Sequence, residues 1–293
     1  TLGFASEANA QVPLENVFKN PEKAGYQISP DGKYFSYMAP YENRLNLFVQ
    51  EVGSDKATRI TSETVRDLAG SMWANGHRIL YIKDTAGDEN FQLYGVNVDG
   101  TDSKAYTAFP KVRTTIIDPL ENIDSLVIIG LNKRNPQVFD PYRLNLNNGE
   151  LTQLAENPGN IQGWMTDHNG KLRVALAIVD GVNTQILYRE TEEQPFRPVL
   201  TTNFKETVSF ATFTPDNKMV YALTNIGRDK TALVLMDPAT CEEKEVLYTN
   251  DKYDISGLGY SELKKKLISV SCTGHKGTIP VSYTHLRAHE TVL

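Results

Sequence analysis

Apolar and polar residues alternate along most of this chain, which is the pattern of β-strands with one face in a core. Leu45, Leu47 and Val49 alternate with polar residues, and the same period of two runs through 142–147. Only the stretch 62–73 has a pattern that allows a helical turn. The alternation therefore predicts an all-β fold.

Tight-turn sequences separate the strands at regular intervals. Proline presets the backbone for a turn, and glycine or asparagine accepts the positive φ that closes a hairpin. Each turn is followed by a short apolar strand, a second strand and usually a third. Six such turns recur: Ser29-Pro30-Asp31-Gly32, Trp73-Ala74-Asn75-Gly76, Pro119-Leu120-Glu121-Asn122, Asp167-His168-Asn169-Gly170, Pro215-Asp216-Asn217 and Ser261-Glu262-Leu263-Lys264.

These turns mark a repeat. Equivalent positions in the strands that follow them are 45, 47, 46, 47 and 48 residues apart: Phe35, Leu80, Val127, Arg173, Val220 and Ile268. A unit of about 46 residues with about four strands matches a propeller blade, whereas leucine-rich and β-helix repeats are shorter. A seven-bladed ring at this period needs about 320 residues. We therefore predict an incomplete β-propeller with about five to six four-stranded antiparallel blades of an expected seven.

The composition is that of a globular chain and excludes several function classes. The 293 residues are 40% apolar and 23% charged, and the longest apolar runs are far too short for a membrane span. The net charge of −6 and the lack of a long basic run argue against a nucleic-acid partner. Cys241 and Cys272 are too few for a disulfide framework. They are predicted to be buried thiols or, alternatively, one inter-strand bridge, and no cofactor is predicted.

Both ends differ from the repeat. Residues 1–10 end in a small-x-small pattern, which is typical of the cleavage site of a secretory signal, and the alternative is a disordered extension. Residues 281–293 resemble the translation of a transposase-type sequencing adapter. His285 and His289 lie there and imitate half of a helical metal site, so they are assigned to an artefact and no metal site is predicted. The propeller is then expected at 11–280 in a truncated form, and the parent protein is expected to be periplasmic or secreted.

The second repeat carries a resemblance to a known family. Its residues resemble an early blade in the prolyl oligopeptidase family of serine peptidases, closest to the acylaminoacyl-peptidase-like branch. The resemblance covers about residues 12–280 and is weakest over 110–160. The residues that carry it are Trp73, Arg78-Ile79-Leu80-Tyr81, Asp84, Gly87-Asp88-Glu89-Asn90 and Leu93-Tyr94-Gly95-Val96.

The resemblance implies a catalytic domain that this sequence does not contain. Members of the family place a propeller ahead of an α/β-hydrolase domain with a Gly-x-Ser-x-Gly nucleophile elbow, and no such motif occurs in these 293 residues. His77 and His168 lie in corresponding turns and are predicted to be solvated, and His275 lies in a Gly-flanked turn. No catalytic residue is predicted, and this chain alone should be inactive.

Paired acidic residues are the remaining candidates for substrate binding. The dipeptidyl-peptidase branch of the family holds a free N-terminus with paired glutamates, because two carboxylates can bind one ammonium. Glu192-Glu193 and Glu242-Glu243 are predicted to be solvated turn residues. Asp88 and Glu89 lie in a longer loop that could face a cavity, but the main role expected for the pair is local, because Asp84 and Asp88 can accept backbone N–H bonds and fix the loop. The dipeptidyl-peptidase motif is therefore not carried over to this sequence. Trp73 and Trp164 are expected in blade cores.

Two functions follow from this sequence. The first is the non-catalytic propeller of an exported serine peptidase, which gates short peptide substrates by size for the missing hydrolase domain. The alternative is a non-enzymatic periplasmic propeller of the translocation-protein type, which binds protein partners. The fold does not separate the two, because propellers host unrelated functions.

Overall fold

Nearly all of the regular secondary structure in the described part of the protein is β-strand. The structure is a computed structural model that describes residues 13, 14, 16, 19, 21–274 and 277–282. Here the strands form five four-stranded sheets and one three-stranded sheet, and in each sheet the neighbours follow chain order. All the pairings are antiparallel. This up-and-down sheet, repeated six times, confirms the predicted propeller blades. The expected total of seven stays a prediction.

The chain divides into two compact units, and the first, 1–108, contains two sheets. Sheet 1 consists of β1 (Ala24–Ile28), β2 (Tyr34–Tyr41), β3 (Arg44–Glu51) and β4 (Ala57–Arg59). Sheet 2 consists of β5 (Gly70–Trp73), β6 (Arg78–Lys83), β7 (Gln92–Asn97) and β8 (Lys104–Ala105). The two sheets share a core in which Leu47, Ile79 and Val96 are fully buried. The helical turn that the sequence allows over 62–73 does not form, because 64–66 are bends and 70–73 are strand β5.

The second unit, 109–293, contains four sheets. Sheet 3 consists of β9 (Thr114–Asp118), β10 (Leu126–Asn135), β11 (Val138–Asn145) and β12 (Leu151–Gln153). Sheet 4 consists of β13 (Ile161–Thr166), β14 (Leu172–Val179), β15 (Asn183–Tyr188) and β16 (Arg197–Thr202). Sheet 5 consists of β17 (Val208–Phe213), β18 (Val220–Thr224), β19 (Ala232–Met236) and β20 (Glu243–Tyr248). Sheet 6 consists of β21 (Ile255–Ser261), β22 (Lys266–Gly274) and β23 (Gly277–Ser282).

The structure confirms the predicted repeat, both in the number of units and in the place of each equivalent residue within its unit. All six equivalent positions fall in the second strand of a sheet, and all six predicted turns join the first strand to the second. We call these connections the first turns. Their chemistry is local: the Asp31 carboxylate accepts hydrogen bonds from the Ser29 hydroxyl at 2.7 Å and from the Lys33 amide at 3.2 Å, while Gly32 takes a φ of 71°. Such Asx-type bonds fix a turn without any distant contact, which is why the sequence reveals it.

Apolar side chains hold neighbouring sheets of the second unit together. One core lies between sheets 4 and 5 and contains Phe213, Val220 and Val234, all fully buried. A second core, between sheets 5 and 6, contains Leu233 and Val270. Burying a side chain of this size stabilises the fold by about 1.5–3 kcal/mol. Each blade therefore depends on its neighbour for much of its stability.

The predicted end segments fall largely outside the described residues. Residues 1–10, 283–293 and His275 lie there, so the signal remnant, most of the adapter-like tail and both tail histidines stay predictions. The predicted boundary at 280 falls inside β23, whose last two residues pair with Val270 and Ser269. No helix among the described residues is long and apolar enough to cross a membrane.

Candidate functional site

The first turns of sheets 3, 4 and 6 come together around one cavity, to which sheet 5 contributes Thr212 of β17. Its volume is about 330 Å³, and residues of sheets 3, 4, 5 and 6 line it. We call it the turn cavity. Its wall is mainly polar, and the residues that matter for its chemistry are Asp118, Asn122, Thr166, His168, Tyr260 and Glu262.

His168 lies at the centre of this arrangement. Its Nε2 is 2.9 Å from the backbone oxygen of Phe213, and its Nδ1 is 3.3 Å from a carboxylate oxygen of Glu262. The imidazole ring stacks on Tyr260 with 5.3 Å between ring centroids, and only 17% of the His168 side chain is exposed. The prediction of a solvated turn histidine is therefore wrong for His168. It holds for His77, which is exposed.

The carboxylate of Glu262 joins three sheets. Its Oε2 accepts a hydrogen bond of 2.7 Å from the Asn122 side-chain amide in the first turn of sheet 3, and the same oxygen faces His168 of sheet 4. Nearby, the Thr166 hydroxyl donates to the Asp118 carboxylate, which ties β13 to β9. Side-chain hydrogen bonds thus connect first turns that are far apart in the sequence.

Tyr260 adds a polar group with an unusual environment. Its hydroxyl oxygen is buried and has no hydrogen-bond partner in the described part of the chain. Burial, together with the nearby charge of Glu262 and the phenol of Tyr221, raises the pKa of Tyr260 to about 12. The phenol therefore stays neutral and can offer its proton to an acceptor.

The side chains of the turn cavity form polar contacts with one another and are not arranged for catalysis. Both ring nitrogens of His168 face oxygen acceptors, so the ring is not paired with a hydroxyl or thiol nucleophile as a catalytic base must be. Among the described residues, no group of three or more His, Cys, Asp or Glu side chains is arranged to hold a metal ion.

The loop that contains the candidates Asp88 and Glu89 joins β6 to β7 in the first unit. The Asp88 carboxylate accepts hydrogen bonds from the Thr85 and Asn90 amides at 3.2 and 3.1 Å. Hydrogen bonds from Asn90, above all from its side chain, lower the pKa of Asp88. Asp84 accepts a bond from the Glu89 amide at 3.2 Å. Asp84 and Asp88 therefore fix the loop, in line with the local role expected for them.

Glu89 has different surroundings from Asp88. Its backbone is in the left-handed region, with a φ of 56°, and its side chain is exposed. Among the described residues, its carboxylate has no hydrogen-bond or ion-pair partner. The loop thus uses Asp88 for its own structure and presents Glu89 to solvent.

The two glutamate pairs do not behave as pairs of solvated residues. Glu193 is exposed, as predicted, but Glu192 is only 14% exposed and accepts a 2.7 Å bond from Arg143 of β11. Burial opposes ionisation of Glu192, yet the bond from Arg143 and that from the backbone amide of Leu172 leave its pKa lowered. The prediction is therefore wrong for Glu192, which links sheets 3 and 4.

The second pair shows the same division. Glu242 is exposed and pairs with Lys244. Glu243 is 30% exposed and accepts two bonds from Arg228, at 2.8 and 2.6 Å. Glu192 and Glu243 are thus half-buried ion-pair partners within the fold, and the two pairs are not candidates for binding a substrate ammonium.

Sequence analysis missed a buried cation at a core position. Arg173 occupies the repeat position that Val127 and Val220 fill elsewhere, and its side chain is 7% exposed. Its guanidinium contacts Asp167 at 3.2 Å and Glu190 at 3.0 Å, so the charge is compensated. Asp167 precedes β14 and Glu190 follows β15 in the sequence. Acidic residues at both ends of this strand pair are the signal that could have revealed the buried Arg173.

The tryptophans and cysteines complete the candidate residues. Trp73 is buried in the core of the first unit, as predicted. Trp164 is half-buried, packs on Phe196 at 5.7 Å between ring centroids, and lines a cavity of about 450 Å³ between sheets 3 and 4. Cys241 and Cys272 are free thiols, Cys272 buried and Cys241 half-buried. Burial, aided by a nearby aspartate, raises the pKa of Cys241 to about 11.

Comparison with known proteins places the repeat in a family. The chain is 30% identical over 255 residues to dipeptidyl aminopeptidase BIII of Pseudoxanthomonas mexicana, a match that covers 84% of this chain and 36% of that protein. It is 27% identical over 285 residues to dipeptidyl peptidase family member 6 of Caenorhabditis elegans, with 90% of this chain and 38% of that protein covered. The chain is a propeller segment of the prolyl oligopeptidase family.

The structural comparison agrees with this assignment at the level of the fold. A prolyl endopeptidase structure superposes with a TM-score of 0.62 and 11% identity, covering 88% of this chain and 40% of the other. No family model matches the sequence. This propeller segment spans somewhat more than a third of the length of the two curated relatives.

Proposed function

We propose that this chain is the non-catalytic propeller of an exported serine peptidase, and that it admits short peptides to a hydrolase domain encoded elsewhere in the parent protein. The observation that carries the proposal is the 30% identity to a protein named as a dipeptidyl aminopeptidase, confined to 36% of that protein. The match leaves room for a separate catalytic region. The absence of Gly-x-Ser-x-Gly from these 293 residues agrees with that division.

The reaction would be acyl transfer from a peptide to a serine and then to water, and the propeller would act before that step. A rigid assembly of packed sheets can restrict entry by size, because its blades are held by buried apolar cores and resist deformation. Only peptide ends or short peptides would then reach the serine. The function of this chain is therefore substrate selection.

Glu89 is the residue we propose for substrate contact in the first unit. Its carboxylate is exposed and unpaired among the described residues, so it can accept hydrogen bonds from a peptide ammonium at little structural cost. Asp88 supports it indirectly by fixing the loop.

The decisive experiment compares the parent protein with this chain. A serine-directed fluorophosphonate probe should label the parent and leave the 293-residue chain unlabelled. Hydrolysis by the parent of a chromogenic dipeptide, a decapeptide and a denatured protein should fall steeply with substrate length. Labelling of this chain would contradict the proposal. An unlabelled parent would favour the non-enzymatic scaffold that binds protein partners.

A matched pair of variants tests the role of Glu89. In the parent protein, Glu89→Gln should raise KM for a peptide with a free N-terminus about tenfold, and should not change KM for the same peptide with a blocked N-terminus, since a charge-assisted bond is lost. Glu193→Gln removes another exposed carboxylate, in the second unit, and should change neither value. Equal effects on the free and blocked peptides would exclude Glu89 as an ammonium contact. Cell fractionation of the parent tests the proposed export.

A further inference from the structure

A cavity of about 450 Å³ lies between sheets 3 and 4, and its wall carries no ionisable side chain. We call it the neutral cavity. None of the described residues that line it is Asp, Glu, Lys, Arg or His, although 23% of the whole chain is charged. Its volume is within the range of about 300–1,000 Å³ that is typical of small-molecule sites. A charged ligand would lose its hydration there without gaining a counter-charge, so the cavity suits a neutral ligand.

Polar side chains from both sheets line the neutral cavity. Gln137 lies in the turn between β10 and β11 of sheet 3, and Gln162 and Trp164 lie in β13 of sheet 4. In the described part of the chain, neither the two glutamine side chains nor the indole nitrogen of Trp164 has a hydrogen-bond partner. A side-chain amide offers two donors and an acceptor, and the indole offers one donor. These groups can therefore bind a ligand rich in hydroxyl groups without breaking any bond within the fold.

Local structure fixes the backbone around these side chains. The pairing of β13 with β14 skips Gln162, which forms a β-bulge, and a bulge redirects a side chain out of the regular alternation. The backbone amide of Gln137 donates to the Asn135 side chain at 3.0 Å and so closes its turn. Buried Asn157 accepts hydrogen bonds of 2.8 and 3.2 Å from backbone amides within 159–161, which hold the segment that leads into β13. A wall that is formed in advance lowers the entropic cost of binding a ligand.

Trp164 adds a large aromatic ring to this polar wall. The ring is half-buried and packs on Phe196 at 5.7 Å between ring centroids, with 55° between the ring planes. This contact holds the indole in one orientation. The C–H faces of a sugar ring are apolar and pack well on an aromatic ring, whereas its hydroxyl groups need donors and acceptors. An indole beside two free side-chain amides, with no charge among the lining residues, matches both parts of a sugar.

We propose that the neutral cavity binds an uncharged carbohydrate, with a sugar ring packed on Trp164 and its hydroxyl groups hydrogen-bonded to Gln137 and Gln162. This binding function goes beyond the proposed selection of peptides. It needs only residues of sheets 3 and 4 and does not depend on peptide hydrolysis by the parent protein. The carbohydrate site and the peptidase function can therefore fail separately.

Tryptophan fluorescence of the 293-residue chain reports binding at this site. The chain contains two tryptophans, of which Trp73 is buried in the first unit and Trp164 lines the neutral cavity. Titration with cellobiose, maltose and N,N′-diacetylchitobiose should give a saturable change in fluorescence with at least one of these sugars. Trp164→Phe leaves Trp73 as the only fluorophore and should remove the change. The proposal is overturned if none of the three sugars binds, or if the change persists in Trp164→Phe.

Variants of the exposed glutamines test the hydrogen bonds without disturbing the core. Gln137→Ala and Gln162→Ala should each raise the Kd of the bound sugar about fivefold in isothermal calorimetry, since each removes one net hydrogen bond. Gln153→Ala is the matched control, because Gln153 is also exposed and lies in β12 of sheet 3 but does not line the cavity. Its Kd should be unchanged. Equal Kd values for all three variants would overturn the proposal.

Two further ligands test whether the site prefers a neutral sugar. Digalacturonic acid, a charged disaccharide, should bind at least about tenfold more weakly than the neutral sugar, because the cavity offers no counter-charge. Trialanine with an acetylated N-terminus and an amidated C-terminus is neutral and should not displace the bound sugar. Displacement by this peptide at an equal concentration would identify a peptide site and overturn the carbohydrate assignment, as would equal affinity for digalacturonic acid. Absence of any hydrolysis by the parent protein would refute the proposed peptidase function alone.

Discussion

The ion pair between Glu192 and Arg143 gives the sharpest test of how the sheets of the second unit are joined. Glu192 follows β15 of sheet 4, and Arg143 lies in β11 of sheet 3. The Glu192 carboxylate accepts bonds from Arg143 at 2.7 Å and from the Leu172 amide at 3.0 Å, and Lys171 approaches it at 3.6 Å. Glu192→Ala removes all of these contacts, whereas Glu193→Ala removes a neighbouring carboxylate that is exposed.

The expected loss of stability follows from these contacts. A hydrogen bond to a charged group contributes about 1.5–3 kcal/mol, and removing one partner of a fully buried pair costs about 3–5 kcal/mol. Glu192 and Arg143 are 14% and 18% exposed, and Arg143 keeps a 2.8 Å bond to the Gly170 oxygen. Residual access to water and this remaining bond reduce the cost to about 2–4 kcal/mol for Glu192→Ala. Glu193→Ala should cost no more than about 0.5 kcal/mol.

The pH dependence of the pair has a definite sign. The pKa of Glu192 is lowered in the folded chain, because the bonds from Arg143 and the Leu172 amide outweigh the opposing effect of burial. A lowered pKa means that the stabilisation is complete above the pKa of the unfolded state, about 4.3, and is lost as the pH falls through the folded pKa. The stability difference between the original chain and Glu192→Gln should therefore be largest near pH 7 and shrink in acid.

Urea unfolding followed by circular dichroism measures both effects on the 293-residue chain. The original chain and the three variants Glu192→Ala, Glu193→Ala and Glu192→Gln should be compared at pH 7, and the original chain and Glu192→Gln again at pH 3. Similar free energies of unfolding for Glu192→Ala and Glu193→Ala would refute the assignment of Glu192 as a link between sheets. A difference that grows in acid would refute the stated sign.

Three further outcomes can be checked with simpler measurements. Gly95→Ala should destabilise the chain by about 1–3 kcal/mol, because a Cβ there would lie 2.7 Å from a tyrosine ring. Gly257→Ala is the control and should cost about 0.5 kcal/mol or less, because a Cβ at that position meets open space. Equal urea midpoints for the two variants would contradict this prediction. Ser29→Ala should raise the pKa of Asp31, since the Ser29 hydroxyl is the main cause of its lowering, and an unchanged NMR titration would refute that cause. Cys241, whose pKa is raised to about 11, should react with iodoacetamide at pH 8 much more slowly than glutathione, and a similar rate would refute the raised pKa.

The blades could be predicted from sequence because the information that specifies them is local. The Asp31 carboxylate and the positive φ of Gly32 close the first turn of sheet 1 within four residues. Thr214 and Asp216 do the same in sheet 5, with a 2.6 Å bond between their side chains. Alternation then gives each strand its buried face. Local turn chemistry and a period of two are sufficient to locate such blades.

The predictions for His168 and Glu192 were wrong because they used only this local information. Both residues lie in turns, and turn residues are usually solvated. The partners that bury them belong to other sheets: Phe213 and Glu262 for His168, and Arg143 for Glu192. Residue type and turn position alone do not predict contacts of this kind.

The separations of these contacts nevertheless follow the repeat. Several bonds between adjacent sheets join residues 44 to 49 positions apart, as in Gln27 with Ser71, Thr166 with Asp118, His168 with Asn217 and Arg143 with Glu192. The Asn122–Glu262 bond spans 140 positions, which is close to three repeats. Equivalent positions in a stacked repeat lie side by side, so a donor and an acceptor one period apart are candidates for a bond between blades. Once the period of about 46 residues is known, a search for complementary polar pairs one period apart would have paired Glu192 with Arg143 from the sequence alone, whereas the Asn122–Glu262 bond joins sheets that are not neighbours in the repeat.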